Sequence, residues 1–238
     1  MQKVIIIGAT SGIGRELARI YAGAGNFVGA TGRRQDLLYS LQLEYPNSIV
    51  TECFDVTESN HISHVEALIG KMGGVDLLIY NSGYGEVSEK LDWVIDKKTV
   101  DINVNGFIST VNFAFNYFVN QGHGHVVTTS SIASHRGNSR APAYSASKAF
   151  QSIYFEGLFI KAGKMNLPLF VTDIQPGFVQ TQMAKGEGLF WVAPVGKAAR
   201  QIVQAIEKKK RRAYITRRWG LIAWLMKWMP EFIYRKIG

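Results

Sequence analysis

The sequence predicts a single doubly wound, parallel α/β domain, and three observations predict it. Short apolar, β-rich runs alternate with helical patterns almost from the first residue. Those runs are continuously apolar, as strands covered by helices on both faces are. The first run leads directly into a glycine-rich turn and a helix, the opening unit of such sheets. The ligand crevice of a doubly wound sheet lies at the carboxyl ends of its strands, so the functional residues are expected there.

Taken in order, residues 4–7 form the first buried strand and residues 12–24 its helix. A strand over 27–31 and a helix over 34–44 follow, then a strand over 49–54 and a helix over 58–71. The buried-strand pattern returns at 75–80, ahead of a long helix over 97–120 and a strand over 125–129. The pattern continues as a helix from 144 to about 164, a strand over 169–174, a helix over 195–209 and a short last strand at 213–216. No linker, repeat or low-complexity stretch interrupts it, so residues 1–212 read as one domain and 213–238 as a C-terminal extension with an amphipathic helical tail.

Composition narrows the class. The 238 residues are 47% apolar, enough for a sizeable core, and only 19% charged, which argues against disorder. One cysteine, Cys53, excludes an internal disulfide and fits a reducing compartment. The apolar run after Met1-Gln2-Lys3 has four residues, too short for a signal-peptide core, so a cytoplasmic protein is expected. The net charge of +9 is uneven: ten Lys/Arg against two Glu from 207 to 238 give +8, while seventeen basic and sixteen acidic residues before them give +1. A nucleic-acid-binding surface spreads its charge over a folded face, so nucleic acid is not an expected partner.

The loop after the first strand reads Gly8-Ala9-Thr10-Ser11-Gly12-Ile13-Gly14. Glycines here let the backbone turn tightly and approach a pyrophosphate at the positive end of the following helix, the Rossmann-type arrangement. At the end of the second strand, where a site for NAD usually places Asp or Glu, stand Gly32-Arg33-Arg34. A guanidinium binds a 2′-phosphate that a carboxylate would repel. NADP is therefore the expected cofactor, NAD the less expected one, and Arg33 the selecting residue, with Arg34 opening the next helix.

Tyr144-Ser145-Ala146-Ser147-Lys148 carries the chemistry. Positions four apart share a helix face, so Tyr144 and Lys148 can act together. A free phenol titrates near 10, and a neighbouring ammonium brings it closer to working pH. Ser131, thirteen residues upstream and just past a strand, can hold a carbonyl oxygen as charge develops on it. The five histidines (61, 64, 123, 125 and 135) show no zinc-site grouping, and His61 and His64 are expected at the solvent face of one helix.

On these residues the sequence resembles the short-chain dehydrogenase/reductase family. The resemblance extends to Tyr80-Asn81-Ser82-Gly83, similar to the family's N-N-A-G motif, and to Asp55-Val56, similar to the pair against the adenine. It also includes Asn103, at the place of the family's catalytic asparagine, and Pro176-Gly177 with Thr181, similar to the segment that contacts the nicotinamide carboxamide. The motifs run in the family's order over roughly three quarters of the chain; Ile7, Tyr80 and Ser82 depart from its usual residues.

The resemblance implies a cofactor site made of Gly8, Thr10, Ser11, Gly12, Ile13, Gly14, Arg33, Asp55, Val56, Asn81, Gly83, Tyr144, Lys148, Pro176, Gly177 and Thr181. It implies that Tyr144 exchanges a proton with the substrate oxygen while Lys148 binds the nicotinamide ribose and lowers the tyrosine's pKa. Ser131 would orient the substrate, and Asn103 would hold a water linking Lys148 to solvent. The implied reaction interconverts a carbonyl and an alcohol by hydride transfer, without a metal. A homodimer or homotetramer built on the long helices is implied as well.

Two segments remain. Residues 181–194 correspond to the family's substrate lid, and Met183, Leu189, Phe190 and Trp191 suggest an apolar roof for an apolar or bulky carbonyl substrate, unless the aromatics pack on the body. In the tail the longest uncharged stretch is the eight residues 219–226, far short of the roughly 20 that span a bilayer. Three tryptophans beside cations suit a helix lying peripherally on the inner membrane surface; packing on its own subunit or on a neighbour is the alternative. The remaining functional alternatives are a membrane-surface lipid ketone reductase and a non-catalytic NADP-binding scaffold.

Overall fold

The computed structural model describes residues 1–182 and 190–235. Along the chain lie β1 (Lys3–Ile7), α1 (Gly12–Gly23), β2 (Phe27–Gly32), α2 (Gln35–Glu44), β3 (Ile49–Cys53), α3 (His61–Met72), β4 (Leu77–Tyr80) and α4 (Trp93–Val100). They are followed by α5 (Phe107–Gln121), β5 (Gly124–Thr129), α6 (Pro142–Gly163), β6 (Leu169–Pro176), α7 (Val195–Glu207), β7 (Arg212–Ile215), α8 (Trp219–Trp228) and the single turn α9 (Glu231–Tyr234). The strands form one parallel sheet in the order β3-β2-β1-β4-β5-β6-β7. The chain winds outward from β1 through β3 and then crosses to the other side of β1 for β4. That reversal opens the crevice between the carboxyl ends of β1 and β4.

The two-residue period of a strand sorts the core. Val4 and Ile6 face one layer, with Leu17 and Ala18 of α1, Leu38 of α2 and Ile202 of α7. Ile5 and Ile7 face the other, with Leu68 of α3, Val111 of α5 and Phe155 of α6. All four of these side chains are fully buried, which is why residues 4–7 read as an unbroken apolar run.

The structure departs from the sequence expectation in places that matter to the site. The expected helix over 97–120 begins earlier, at Trp93, where Asp92 accepts a hydrogen bond from the Val94 amide (2.8 Å). It is also interrupted by a π-helical turn over Asp101–Gly106. That turn sets Gly106 against the β3–α3 connection, where an added Cβ would lie 2.7 Å from the Val56 carbonyl oxygen. The helix expected from 144 starts at Pro142, a residue suited to a first helical turn. The helix expected from 58 starts at His61, which is buried and not at the solvent face: its Nδ1 lies 2.6 Å from the Glu58 carbonyl and its Nε2 2.9 Å from Ser109 Oγ. His64 is half-buried, stacked on Phe54 and bonded to Glu52 (2.8 Å).

Candidate active site

The glycine loop is shaped by backbone approach. Gly8 and Gly12 hold φ of 90° and 57°, which side-chain-bearing residues avoid. A Cβ at Gly14 would stand 2.0 Å from the Gly8 carbonyl oxygen, so α1 can seat on the loop only with glycine there. The second motif closes the loop's other side: Asn81 donates Nδ2 to the Gly8 carbonyl (3.1 Å). Ile13, in the first turn of α1, packs into the core layer beneath. Thr181 returns to the loop, its Cγ2 3.1 Å from where a Gly12 Cβ would be. Ser11 and Gly12 together with Thr181 and Gln182 border a cleft of about 490 Å³. This loop fits a dinucleotide: its glycines pack the backbone tightly at the start of α1 and leave main-chain amides for a phosphate.

Both arginines after β2 are engaged. Arg33 is exposed and donates to Asp55 Oδ2 (3.1 Å). Asp55 also accepts from the Thr57 amide and hydroxyl (3.0 and 2.9 Å). Burial would raise its pKa, but the bonds from Thr57 and Arg33 outweigh that and hold it below the ordinary carboxylate value. Val56 beside it is buried. Arg34 immediately precedes α2, and its guanidinium reaches back over the glycine loop to Thr10 Oγ1 (2.6 Å) and Ser11 Oγ (2.8 Å).

The four expected catalytic side chains converge. Ser131 follows β5 and caps a short 3₁₀ turn, accepting from the Ala133 amide (3.1 Å). Its side chain lies close enough to the phenol of Tyr144 to draw that group's pKa down. Lys148, one turn along α6 from Tyr144, is buried, with Nζ 5.8 Å from the Tyr144 ring centroid. That ammonium donates to the Thr129 carbonyl and to Gln151 Oε1, both at 3.0 Å. Asn103 is fully buried in the π-helical turn and holds the chain after β4: it accepts from the Tyr84 amide (2.8 Å) and donates to the Tyr84 carbonyl (2.7 Å). Gly83 leaves room between them, a Cβ there lying 3.4 Å from Lys148 Nζ.

Burial pushes the Tyr144 phenol above its ordinary value, and the interaction with Ser131 only partly opposes this. The same burial pulls Lys148 down to about 8, opposed by the charge of Asp173. Gln151 Nε2 donates to the Asn103 main-chain oxygen (2.9 Å), so a carboxamide bridges Lys148 and Asn103.

Gln151, Asp173 and Gly85 are the site residues that sequence reasoning missed. Gln151 lies on the Tyr144–Lys148 face of α6 and is fully buried; a polar residue in the buried phase of that helix was the available signal. Asp173, in the middle of β6, accepts from Ser130 Oγ and from Ser152 Oγ and Gln175 Nε2 (both 2.7 Å). Arg212 lies 3.5 Å from it. Gly85 receives the Tyr144 ring, since a Cβ there would lie 2.3 Å from Cδ2.

The tail reaches the site through Trp219. Its indole is buried and lies on Gly177, where an added Cβ would be 2.1 Å from the ring. Phe178, Phe190 and Trp191 surround it, with ring centroids at 5.4, 5.0 and 5.9 Å. The expected lid aromatics Phe190 and Trp191 therefore pack on the tail while remaining half-exposed; Met183 and Leu189 lie outside the described residues. The base of the segment expected to form a lid is pinned by backbone hydrogen bonds from Gln180 to Ala193 and from Ala193 to Phe178, both 2.9 Å.

The short chain dehydrogenase family model matches residues 2–189. An uncharacterized oxidoreductase of Mycobacterium tuberculosis (strain CDC 1551 / Oshkosh) is 31% identical over 250 residues, covering 100% of this chain and 97% of that one. A protein of Arabidopsis thaliana named 11-beta-hydroxysteroid dehydrogenase 1A is 30% identical over 260 residues, covering 97% of this chain and 72% of its own. The structure of a short-chain dehydrogenase from Streptomyces avermitilis superposes with a TM-score of 0.80 at 25% identity, covering both chains completely. The chain belongs to the short-chain dehydrogenase/reductase family, which makes it an NAD(P)-dependent oxidoreductase.

Proposed function

We propose that the protein is an NADP-preferring reductase that converts a bulky, apolar ketone to its alcohol, with Tyr144 as the acid. The observation that carries this reading is the Lys148 ammonium 5.8 Å from the Tyr144 ring, one turn away on α6, with Ser131 close enough to draw the phenol's pKa down. A bound nicotinamide supplies the hydride to the carbonyl carbon. Ser131 holds the carbonyl oxygen, and Tyr144 gives it the proton that completes the alcohol. A phenol held above its ordinary pKa is fully protonated at neutral pH, the state a proton donor needs. The charge of Lys148 favours the phenolate left behind. Gln151 and Thr129 fix that ammonium in place.

Arg33 supports the cofactor preference, as an exposed guanidinium at the end of β2 with no carboxylate on residues 32–34. Arg34, bridged to Thr10 and Ser11, adds a second positive charge at the loop. The rings of Phe178, Phe190, Trp191 and Trp219 favour an apolar substrate, a class to which the hydroxysteroid in the plant relative's name belongs. The long helices support a homodimer or homotetramer, α6 leaving Ile153 70% and Ile160 52% exposed. We place this enzyme in the cytoplasm, with its tail against a membrane surface.

The test is Tyr144→Phe, assayed with NADPH on steroid and long-chain ketones. Turnover falls about 10³-fold, within the span usual for a lost general acid, while NADPH affinity stays within about twofold. Unchanged turnover in the variant removes Tyr144 from the chemistry. Absence of turnover in the wild type, with NADPH bound tightly, favours a non-catalytic NADP-binding scaffold.

A further inference from the structure

α8 is apolar on two opposite faces. Trp219 and Ala223, four apart, are buried against the body. Leu221, Trp224, Leu225 and Trp228, spaced as i, i+3, i+4 and i+7, lie on the other side. Trp224 is 58% and Trp228 69% exposed, and Phe232 in α9 is 71% exposed. A helix that is hydrophobic all round normally has a partner on every side.

The segment is fixed to the body, so its exposed face is a presented surface. Arg136 donates to the Met229 carbonyl (3.0 Å) and lies 4.3 Å over the Tyr234 ring, and the Tyr234 hydroxyl donates to the Gly137 carbonyl (2.6 Å). At the other end Trp219 is clamped on Gly177.

The charge around this face says what covers it. Residues 217–235 carry Arg217, Arg218, Lys227 and Arg235 against Glu231, a net +3. Among the described residues no ion pair involves these four cations, although Arg218 donates to the Trp191 carbonyl (3.0 Å) and stacks on its ring. The run at 208–212 contributes little here. It enters β7 at the far end of the sheet, with Lys209 over Phe170 and Arg211 paired with Glu156.

We propose that the outward face of α8 and α9 docks on an anionic membrane surface. Tryptophans and leucines enter the headgroup boundary while the four cations meet lipid phosphate and carboxylate groups. A second copy fits less well, because a two-fold contact through this face would oppose two net-positive patches. No helix among the described residues is long and apolar enough to cross a membrane, so α8 lies in the interface. Through Trp219 on Gly177 the docked helix adjoins the mouth of the site. On the reading of Gly177 as part of the nicotinamide segment, the ketone is one dissolved in lipid.

The experiment is flotation of the full chain with vesicles of phosphatidylcholine plus phosphatidylserine, beside phosphatidylcholine alone. Anionic vesicles bind at least about tenfold more tightly. Trp224→Ser/Trp228→Ser lowers that binding at least about tenfold, and Arg217→Ser/Lys227→Ser abolishes the preference for anionic lipid. Equal binding to both vesicle types overturns the proposal. Undiminished binding by the tryptophan variant does so too, as does no vesicle binding by a dimer that this variant turns into monomer. Titration with NADPH, unchanged in either variant, verifies the fold and reports on the cofactor reading alone. Vesicle binding without NADPH binding would remove that reading and leave the docking surface standing.

Discussion

The surroundings of Lys148 and the outward face of α8 are opposites. Around Lys148 a charge is buried and its partners are Thr129 and Gln151, the latter held in turn by the Asn103 carbonyl, so three separate segments supply them. On α8 apolar rings are exposed, and the described residues supply no cover for them. Each arrangement is unfavourable to the isolated chain: one desolvates an ammonium, the other wets tryptophan. Stability is subordinated to function at both, but the first is completed from within and the second only from outside. The contrast teaches that the chemistry is preorganised, whereas the location of the enzyme is left to its environment.

Four substitutions sharpen that contrast. The largest effect belongs to Tyr144→Phe, the roughly 10³-fold loss of turnover given above; comparable losses in the α8 variant would erase the distinction between the two regions. Next is Lys148→Met. Burial lowers the folded-state pKa from 10.5 to about 8, so between those pH values the unfolded chain holds the additional proton and stability rises with pH. Wild type gains about 3 kcal/mol relative to Lys148→Met across that window, measured as denaturant midpoints at several pH values. A difference that does not change with pH would mean a hydrated ammonium.

A smaller effect is expected of Arg33→Ala, which weakens NADPH binding about 10- to 100-fold by loss of a charge-assisted hydrogen bond and leaves NADH nearly unchanged. Equal losses for both cofactors would show that Arg33 serves Asp55 and not the 2′-phosphate. The smallest is Gln151→Leu. Removing one acceptor of Lys148 and uncovering the Asn103 carbonyl lowers turnover about 3- to 10-fold. It also moves the alkaline limb of the pH–rate profile to lower pH, since the charged amine loses a partner. An unmoved limb would make Gln151 a packing residue only.

Much of the buried site was legible because its signals are local. The glycine loop follows directly from the β1 run, and Tyr144 and Lys148 sit four apart on one helix. What sequence could not supply came from partners far along the chain. Gln151 meets an oxygen 48 residues upstream, and Asp173 gathers hydroxyls 43 and 21 residues away. The π-helical turn at Asp101–Gly106 leaves the apolar spacing of a helix almost unchanged. Its effect, the close approach of Gly106 to Val56, joins residues 50 apart in the chain. In the tail, aromatic and basic residues are plain in the sequence. Only the packing of Trp219 against Gly177 separates the face of α8 that the protein covers from the face that it does not.

The most direct test of the central claim is titration of the purified protein with NADPH and NADH separately, followed by tryptophan-to-nicotinamide fluorescence. The account predicts tight NADPH binding and weak NADH binding. Tighter NADH binding would contradict the role given to Arg33, and binding of neither would contradict the reductase itself.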